Sequence, residues 1–208
     1  MPQLLGGAAY VWPYYVGGLL AYLLGSIPFG LLLTRLAGLG DIRKIGSGNI
    51  GATNVLRTGR KGLAGLTLLL DFGKGLLAVL VAGTLGPDMA IFAGIGVLLG
   101  HMFPVWLHFK GGKGVATAGG VLLGLKWQIG VVALVAWIAV AALFRYSSLA
   151  ALAACIVAPA FTYWLTANIG FSETIGLIAL LVVLRHYQNI GRLIRGEESK
   201  IQLGPKAE

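Results

Sequence analysis

Charge is scarce in this chain. Only 11% of its 208 residues are Asp, Glu, Lys or Arg, 57% are hydrophobic, and the mean hydropathy is +0.86. A water-soluble domain of this length cannot cover its surface with so few charges, so the expected solvent is the bilayer. Acidic residues are the scarcest: 7 Asp and Glu stand against 16 Lys and Arg. No paired-carboxylate or metal-ligand cluster is visible, which argues against a phospholipid phosphatase or phosphotransferase, and no metal or other cofactor is expected. The single cysteine, Cys155, cannot form an internal disulfide and reads as packing within 149-LAALAACIVAPAF-161. No basic stretch precedes the first apolar run, 10–36, and that run is too long for a signal h-region, so it is expected to remain as a span. No lipidation motif, low-complexity segment or internal repeat stands out.

What the chain has in quantity is apolar runs. They lie at 11–36, 62–86, 89–107, 115–126, 128–144, 148–167 and 172–187. The breaks between them are 86-GPD-88, 110-KGGKG-114, 126-KWQ-128, 145-RYSS-148 and 168-NIGFSE-173. A membrane helix uses ~20 apolar residues, and backbone groups in lipid need internal partners. The expected fold is therefore all-α: a polytopic integral membrane protein of about seven transmembrane helices, one membrane domain over 1–208. The 115–126 run is short, and reads as a truncated, tilted or re-entrant helix. Pro28 in 25-GSIPFG-30 should kink the first helix, with Ser26 satisfying freed backbone. Trp12, Trp106, Trp127 and Trp164 fall near span ends, where indoles favour the interface, whereas Trp137 is mid-span and reads as packing.

Charge bias gives an orientation. The net charge of +9 is gathered between apolar runs, the positive-inside pattern, and not spread as a nucleic-acid face. Arg35, Arg43, Lys44, Arg57, Arg60 and Lys61 follow the first span against Asp41 alone, so the N-terminus is expected outside and that loop in the cytoplasm. Counting forward puts 108–114 and Arg145 inside, Lys126 outside, and the tail inside. The tail's own Arg185, Arg192, Arg195, Lys200 and Lys206 agree. Three polar, glycine-rich islands thus meet on the cytoplasmic side, carried by loops at about 37–61, 108–114 and 185–208.

The first island, 43-RKIGSGNIGATNVLRTGRKG-62, contains G-x-G-x-x-G at Gly46, Gly48 and Gly51, with Asp71 twenty residues on. That mimics a dinucleotide fingerprint, but no strand precedes it and Asp71 lies in a membrane span. What the pattern keeps is chemistry for another anion. Glycines expose N–H groups as a nest, a short helix from Ala52 to Arg57 adds its dipole, and Arg57 offers a planar fork to phosphate. Ser47, Asn49, Thr53 and Asn54 add small hydrogen-bonding groups. The competing reading is a flexible topology loop, and Arg43, Lys44, Arg60 and Lys61 read as topology or headgroup charges.

The second island, 100-GHMFPVWLHFKGGKGVAT-117, fails as a Walker A loop because Leu107 and Gly114 stand at its outer positions. A lysine among glycines at a helix start remains: Lys113 beside Gly112 is the ligand candidate, and Lys110 either shares the work or snorkels. His101 reads as a packing residue and His108 as interfacial. In the third island, 185-RHYQNIGRLIRGEES-199, a continuing helix puts His186 with Asn189, and Asn189 with Arg192, on one face. Arg185 and Arg195 read equally as ligands or stop-transfer charges. Glu197 and Glu198 are expected to pair with basic loops. Asp71 and Lys74 in 70-LDFGKG-75 are i, i+3 inside a span, an ion pair bracing the bundle in the first instance and a substrate contact in the second.

These three blocks, with YLLGSIPFG and DFGKG, resemble the motifs of the bacterial acyl-phosphate-dependent glycerol-3-phosphate acyltransferases, over Tyr22 to Glu198. The resemblance implies transfer of a fatty acyl group from acyl phosphate to the 1-hydroxyl of sn-glycerol 3-phosphate, giving lysophosphatidic acid and phosphate for phospholipid biosynthesis. It also implies a multi-pass protein of the bacterial cytoplasmic (inner) membrane with its site facing the cytoplasm. Its partners would be the two substrates, membrane lipid and the enzyme that makes acyl phosphate, with no nucleic acid. Acyl-CoA-using glycerolipid acyltransferases typically carry H-x-x-x-x-D, and none of His101, His108 or His186 has Asp five positions later. The expected phosphate ligands are Ser47, Gly48, Asn49, Gly51, Thr53, Asn54, Arg57, Lys110, Gly112, Lys113 and Asn189; Asp71, Lys74, Arg192 and Glu198 support them. Positioning is expected to outweigh acid–base chemistry, with the donor phosphate accepting the hydroxyl proton and His186 as the alternative base. The competing function is a transporter for a small phosphorylated anion, although polarity is one-sided along this chain.

Overall fold

The computed structural model describes residues 7–201, so Lys206 lies outside the described residues. Every expected apolar run is helical. In chain order these are α1 (Gly7–Gly25), α2 (Phe29–Leu36), α3 (Ala52–Leu56), α4 (Lys61–Gly83), α5 (Pro87–Met102), α6 (Val115–Leu125), α7 (Trp127–Phe144), α8 (Ser147–Thr166), α9 (Ile169–Arg185) and α10 (Tyr187–Ile194). Pro28 does more than kink the first span. It separates α1 from α2, and Ser26 donates its hydroxyl to the Tyr22 carbonyl at 2.8 Å on the α1 side of the break.

Among the described residues, five helical segments are long and apolar enough to cross a membrane, and the α9–α10 pair, bent by 63°, makes a sixth if taken as one span. The remaining expected span, α6, has 11 residues. At ~1.5 Å per residue it is roughly 17 Å long, about half the ~30 Å hydrocarbon core. The last helix does not run on through the third island, because it turns at His186.

Without a hydrophobic drive between helices in lipid, close packing has to come from small residues. Here the contacts are backbone to backbone. A Cβ at Gly25 would strike the Val97 carbonyl, one at Gly96 the Gly18 carbonyl and one at Gly100 the Tyr22 carbonyl, so α1 and α5 lie in direct contact. The α4–α6 pair is built likewise, with Gly75 against the Thr117 carbonyl and Gly120 against that of Phe72. α5 is the central element, 56% of its span being buried, against 17% for α7 and 22% for α8. Side chains such as Leu143, Ile156 and Trp164 point outward, as a lipid-facing surface requires. A second, small core of Leu31, Ile42, Ile50, Val55, Ala64 and Leu107 sits beneath the first island and fastens it to α2 and α4.

Candidate active site

Asn54 organises the first island. It is 2% exposed, its Nδ2 donates to the carbonyls of Ile42 (3.0 Å), Ile45 (2.9 Å) and Asn49 (2.8 Å), and its Oδ1 accepts the Ser47 N–H at 3.1 Å. This corrects the expectation that Asn54 is a phosphate ligand: its amide is spent on the loop. Part of the nest is taken up in the same way. The Gly48 N–H donates to the Ile45 carbonyl (3.0 Å) and the Gly51 N–H to Asn49 Oδ1 (3.1 Å), so both, like that of Ser47, already have protein acceptors.

What the loop presents instead is side chains. Gly46 has φ +55°, and a Cβ there would collide with Asn54 Oδ1 and the Arg57 guanidinium, so Arg57 lies directly over the loop. Ser47 is exposed, Asn49 holds the turn, and Thr53 Oγ1 lies 3.3 Å from Ser147 Oγ on α8. Arg43 does not join them. Asp41 takes both Arg43 (2.6 Å) and Arg35 (3.2 Å), and the Arg43 hydrogen bond holds its carboxyl far below the usual carboxylate range.

The second island is clamped from two sides. The N–H groups of Gly111 and Gly112 donate to the carbonyls of Met102 (3.1 Å) and His101 (3.0 Å) at the end of α5. Their carbonyls accept from Arg185 Nη2 (3.0 Å) and Nε (3.1 Å), and the Arg185 guanidinium lies 5.2 Å from the centre of the Phe103 ring. Arg185 is thus a loop clamp, a role left open from the sequence. Gly112 offers no free N–H to an anion, which corrects its assignment as a ligand. Lys110 is exposed, and the groups acting on the Lys113 charge are Glu198, Arg192, Arg57 and Arg185.

The third island closes the arrangement. Lys113 donates from Nζ to Asn189 Oδ1. Asn189 Nδ2 donates to Glu198 Oε1 (2.6 Å), Arg192 Nε to Glu198 Oε2 (2.7 Å), and Ser148 Oγ to Glu198 Oε1 (2.9 Å). Burial by itself would raise the Glu198 carboxyl, but the Arg192, Asn189 and Ser148 hydrogen bonds hold it below its ordinary value. Burial pushes Lys113 down to about 8, Glu198 opposes this, and Arg192, Arg57 and Arg185 add to it. Among the charges that act most strongly on Lys113, three are guanidiniums and one, Glu198, is a carboxylate, the electrostatic condition for an anion site.

His186 stands at the bend between α9 and α10, buried, with Nδ1 2.7 Å from the Val182 carbonyl. A carbonyl only accepts, so Nδ1 carries the proton and Nε2 is the nitrogen with a lone pair when the ring is neutral. Glu197 pairs with exposed Arg195 at 2.7 Å. The segment beyond α10 runs back along the site as a strap. Ser199 meets Arg57, Lys200 lies over Tyr146, and the Ile201 N–H donates to the Arg145 carbonyl at 2.6 Å. The α7–α8 turn is therefore a fourth contributor that sequence reasoning missed. Its signal was there: 145-RYSS-148 is a polar break on the same expected face as the islands. Asp71 and Lys74 pair at 2.8 Å as expected, and His101, read as packing, joins them at 3.4 Å from Asp71.

Residues 15–196 match the family described as Glycerol-3-phosphate acyltransferase. The chain belongs to this family. A glycerol-3-phosphate acyltransferase of Mesorhizobium japonicum is 61% identical over 180 residues, 86% of this chain and 92% of the relative. One from Rhodospirillum rubrum is 56% identical over 201 residues, 92% of this chain and 93% of the relative. Two crystal structures of PlsY, an integral membrane glycerol 3-phosphate acyltransferase, share the fold at 38% identity. Its glycerol 3-phosphate form gives a TM-score of 0.86 over 91% of this chain and 96% of that one. Its lysophosphatidic acid form gives 0.83 over 90% and 95%. For a glycerol-3-phosphate acyltransferase, a cluster of cations suits the phosphorylated acceptor.

Proposed function

We propose that this chain transfers a fatty acyl group from acyl phosphate to the 1-hydroxyl of sn-glycerol 3-phosphate, releasing lysophosphatidic acid and inorganic phosphate. The single observation that carries this reading is the network at one end of an apolar bundle that runs from Lys113 through Asn189 to Glu198 and Arg192, with Arg57 tied to Ser199 next to Glu198. Both substrates bring phosphate, and the donor brings a hydrocarbon chain that can lie among the helices. Charge bias favours an outside N-terminus and a cytoplasmic C-terminus in the bacterial inner membrane, with this end of the bundle facing the cytoplasm.

In this reading Lys113, its ammonium aimed by Asn189, and Arg57, held over Gly46, bind phosphate. Ser47 and Thr53 supply hydroxyls beside them, and Glu198 with Arg192 fixes Asn189. The chemistry asks little of an acid or base. Acyl phosphate is a mixed anhydride with a good leaving group. Holding the acceptor hydroxyl against its carbonyl contributes ~7–11 kcal/mol, whereas a general base contributes ~10²–10⁴-fold, roughly 3–5 kcal/mol. The donor phosphate, held beside the attacking hydroxyl, accepts its proton. The test is purified protein given radiolabelled glycerol 3-phosphate with acyl phosphate, acyl-CoA or acyl carrier protein in turn. Labelled lysophosphatidic acid is expected from acyl phosphate alone, and its absence from that sample refutes the proposal.

A further inference from the structure

Three ionisable side chains lie inside the helical bundle and outside the anion site: Asp71 and Lys74 on α4 and His101 on α5, at 2%, 3% and 4% exposure. Such groups are costly in lipid, and a buried ion pair is a poor stabiliser, since well-packed apolar residues of similar volume often serve as well or better. Bracing alone is thus a weak reason for their presence. Their contacts supply another. Asp71 Oδ1 lies 2.8 Å from Lys74 Nζ and 3.4 Å from His101 Nδ1. Lys74 also donates to the Ile27 carbonyl at 3.0 Å, in the break between α1 and α2, and sits 5.5 Å from the Phe29 ring centre. Lys74 is therefore tied to the α1–α2 break, and the His101 ring turns its Nδ1 edge to Asp71 in a charge contact that lacks hydrogen-bond geometry.

The opposite edge of that ring faces the second island. A Cβ on Gly112 would run into His101 Nε2, so the imidazole is the floor on which this glycine rests. The His101 carbonyl also takes the Gly112 N–H at 3.0 Å. Arg185 presses from above through both loop carbonyls. Lys113 is the next residue along.

We propose that Asp71, Lys74 and His101 form a positioning network that fixes the Gly111–Gly112 turn from beneath and so aims Lys113 at the substrate phosphate, without touching substrate. This rests on the reading of Lys113 as a phosphate ligand. The network converts a polar cluster within the bundle into placement of one ammonium at its end, which a purely apolar α4–α5 contact cannot do.

The decisive variant removes both charges together, Asp71→Leu with Lys74→Met, in the full-length protein in detergent with acyl phosphate as donor. It leaves no buried charge unpaired, so the thermal midpoint should stay near the parent's, while the His101 ring loses the carboxylate beside it. The KM for glycerol 3-phosphate is expected to rise about tenfold or more, since misplacement by ~1 Å costs up to ~100-fold. Combined with Lys113→Ala, the same pair of changes should add nothing further, because the network acts through Lys113; a general loss of packing would multiply the two defects. A parent KM in the double variant beside a defective Lys113→Ala overturns this inference alone, as do multiplying defects. A parent KM in Lys113→Ala overturns the site reading, and this inference with it. Should the double variant aggregate, His101→Asn serves: it keeps an amide group for Asp71 and withdraws the ring edge from Gly112. A raised KM is then expected, and an unchanged one overturns the network.

Discussion

Lys113 offers the sharpest measurement, because its charge is both needed and fragile. Burial, reinforced by Arg192, Arg57 and Arg185, lowers it to about 8. The sign of the pH effect follows from that direction. The cationic form is present below about 8 and is lost as pH rises through it, so affinity for a phosphate dianion should be full below and decline above. The substrate's own second ionisation, near pH ~6, sets the acid limb. Lys113→Met removes the charge at nearly constant length. Hydrogen bonds to charged groups contribute ~1.5–3 kcal/mol, and at ~1.36 kcal/mol per tenfold this is a loss of about 10- to 160-fold in kcat/KM for glycerol 3-phosphate. Burial already disfavours the ammonium, so the thermal midpoint of this variant should be unchanged or higher. Lys113→Arg keeps its charge across the range, because guanidinium does not deprotonate. The assay is initial-rate kinetics from about pH 6.5 to 9.5 on the parent and both variants, at saturating acyl phosphate. The parent should show a decline centred near 8, and the arginine variant should lack it. An arginine variant that declines at the same pH as the parent would refute the assignment.

Three other outcomes are expected. Asn54→Ala removes the hub of the first island, and at ~1 kcal/mol for each of its four hydrogen bonds loses roughly 4 kcal/mol; limited proteolysis should cut within 46–51 and the KM for glycerol 3-phosphate should rise, whereas intact resistance contradicts the hub. His186→Ala should keep measurable turnover if the donor phosphate takes the proton; a fall of ~10²–10⁴-fold in kcat with both substrates still bound would instead make His186 the base. Gly100→Ala forces a Cβ into the Tyr22 carbonyl; overpacking costs ~1–3 kcal/mol against ~1 kcal/mol gained in helix propensity, so the melting point in detergent should fall, and a rise would show that α1 and α5 can part.

The helical segments were legible because hydropathy and Gly/Pro punctuation are local signals. Pro28, Gly86–Pro87 and the turn at Arg145 each mark an observed boundary. The islands were legible because glycine, asparagine and arginine at that density have no purpose in lipid. Partnerships were not. His101 and Asp71 are thirty residues apart on different helices, and an imidazole in an apolar run carries no sign of what it faces. Asn54 looked like a ligand because an amide that ties a loop and one that binds phosphate are the same residue. The free N–H groups expected of Gly48, Gly51 and Gly112 were a local inference that long-range hydrogen bonding overrode, since a loop built to hold an arginine or lysine in place satisfies its own backbone first. The role of Arg185 stayed open and Ser148 was missed for the same reason: their partners are Gly111, Gly112 and Glu198, far along the chain.

The glycine contacts between α1 and α5, and between α4 and α6, set those separations by main-chain thickness alone. A distance fixed in that way does not register what the outward side chains are. The lipid-facing shell could be rewritten wholesale, longer or shorter, aliphatic or aromatic, even polar enough for water, and the gauge of the frame beneath Lys113 would hold as long as those few glycines stay. The molecule thus separates its tolerances cleanly: a freely exchangeable coat, and a chassis in which one added methyl group is too many.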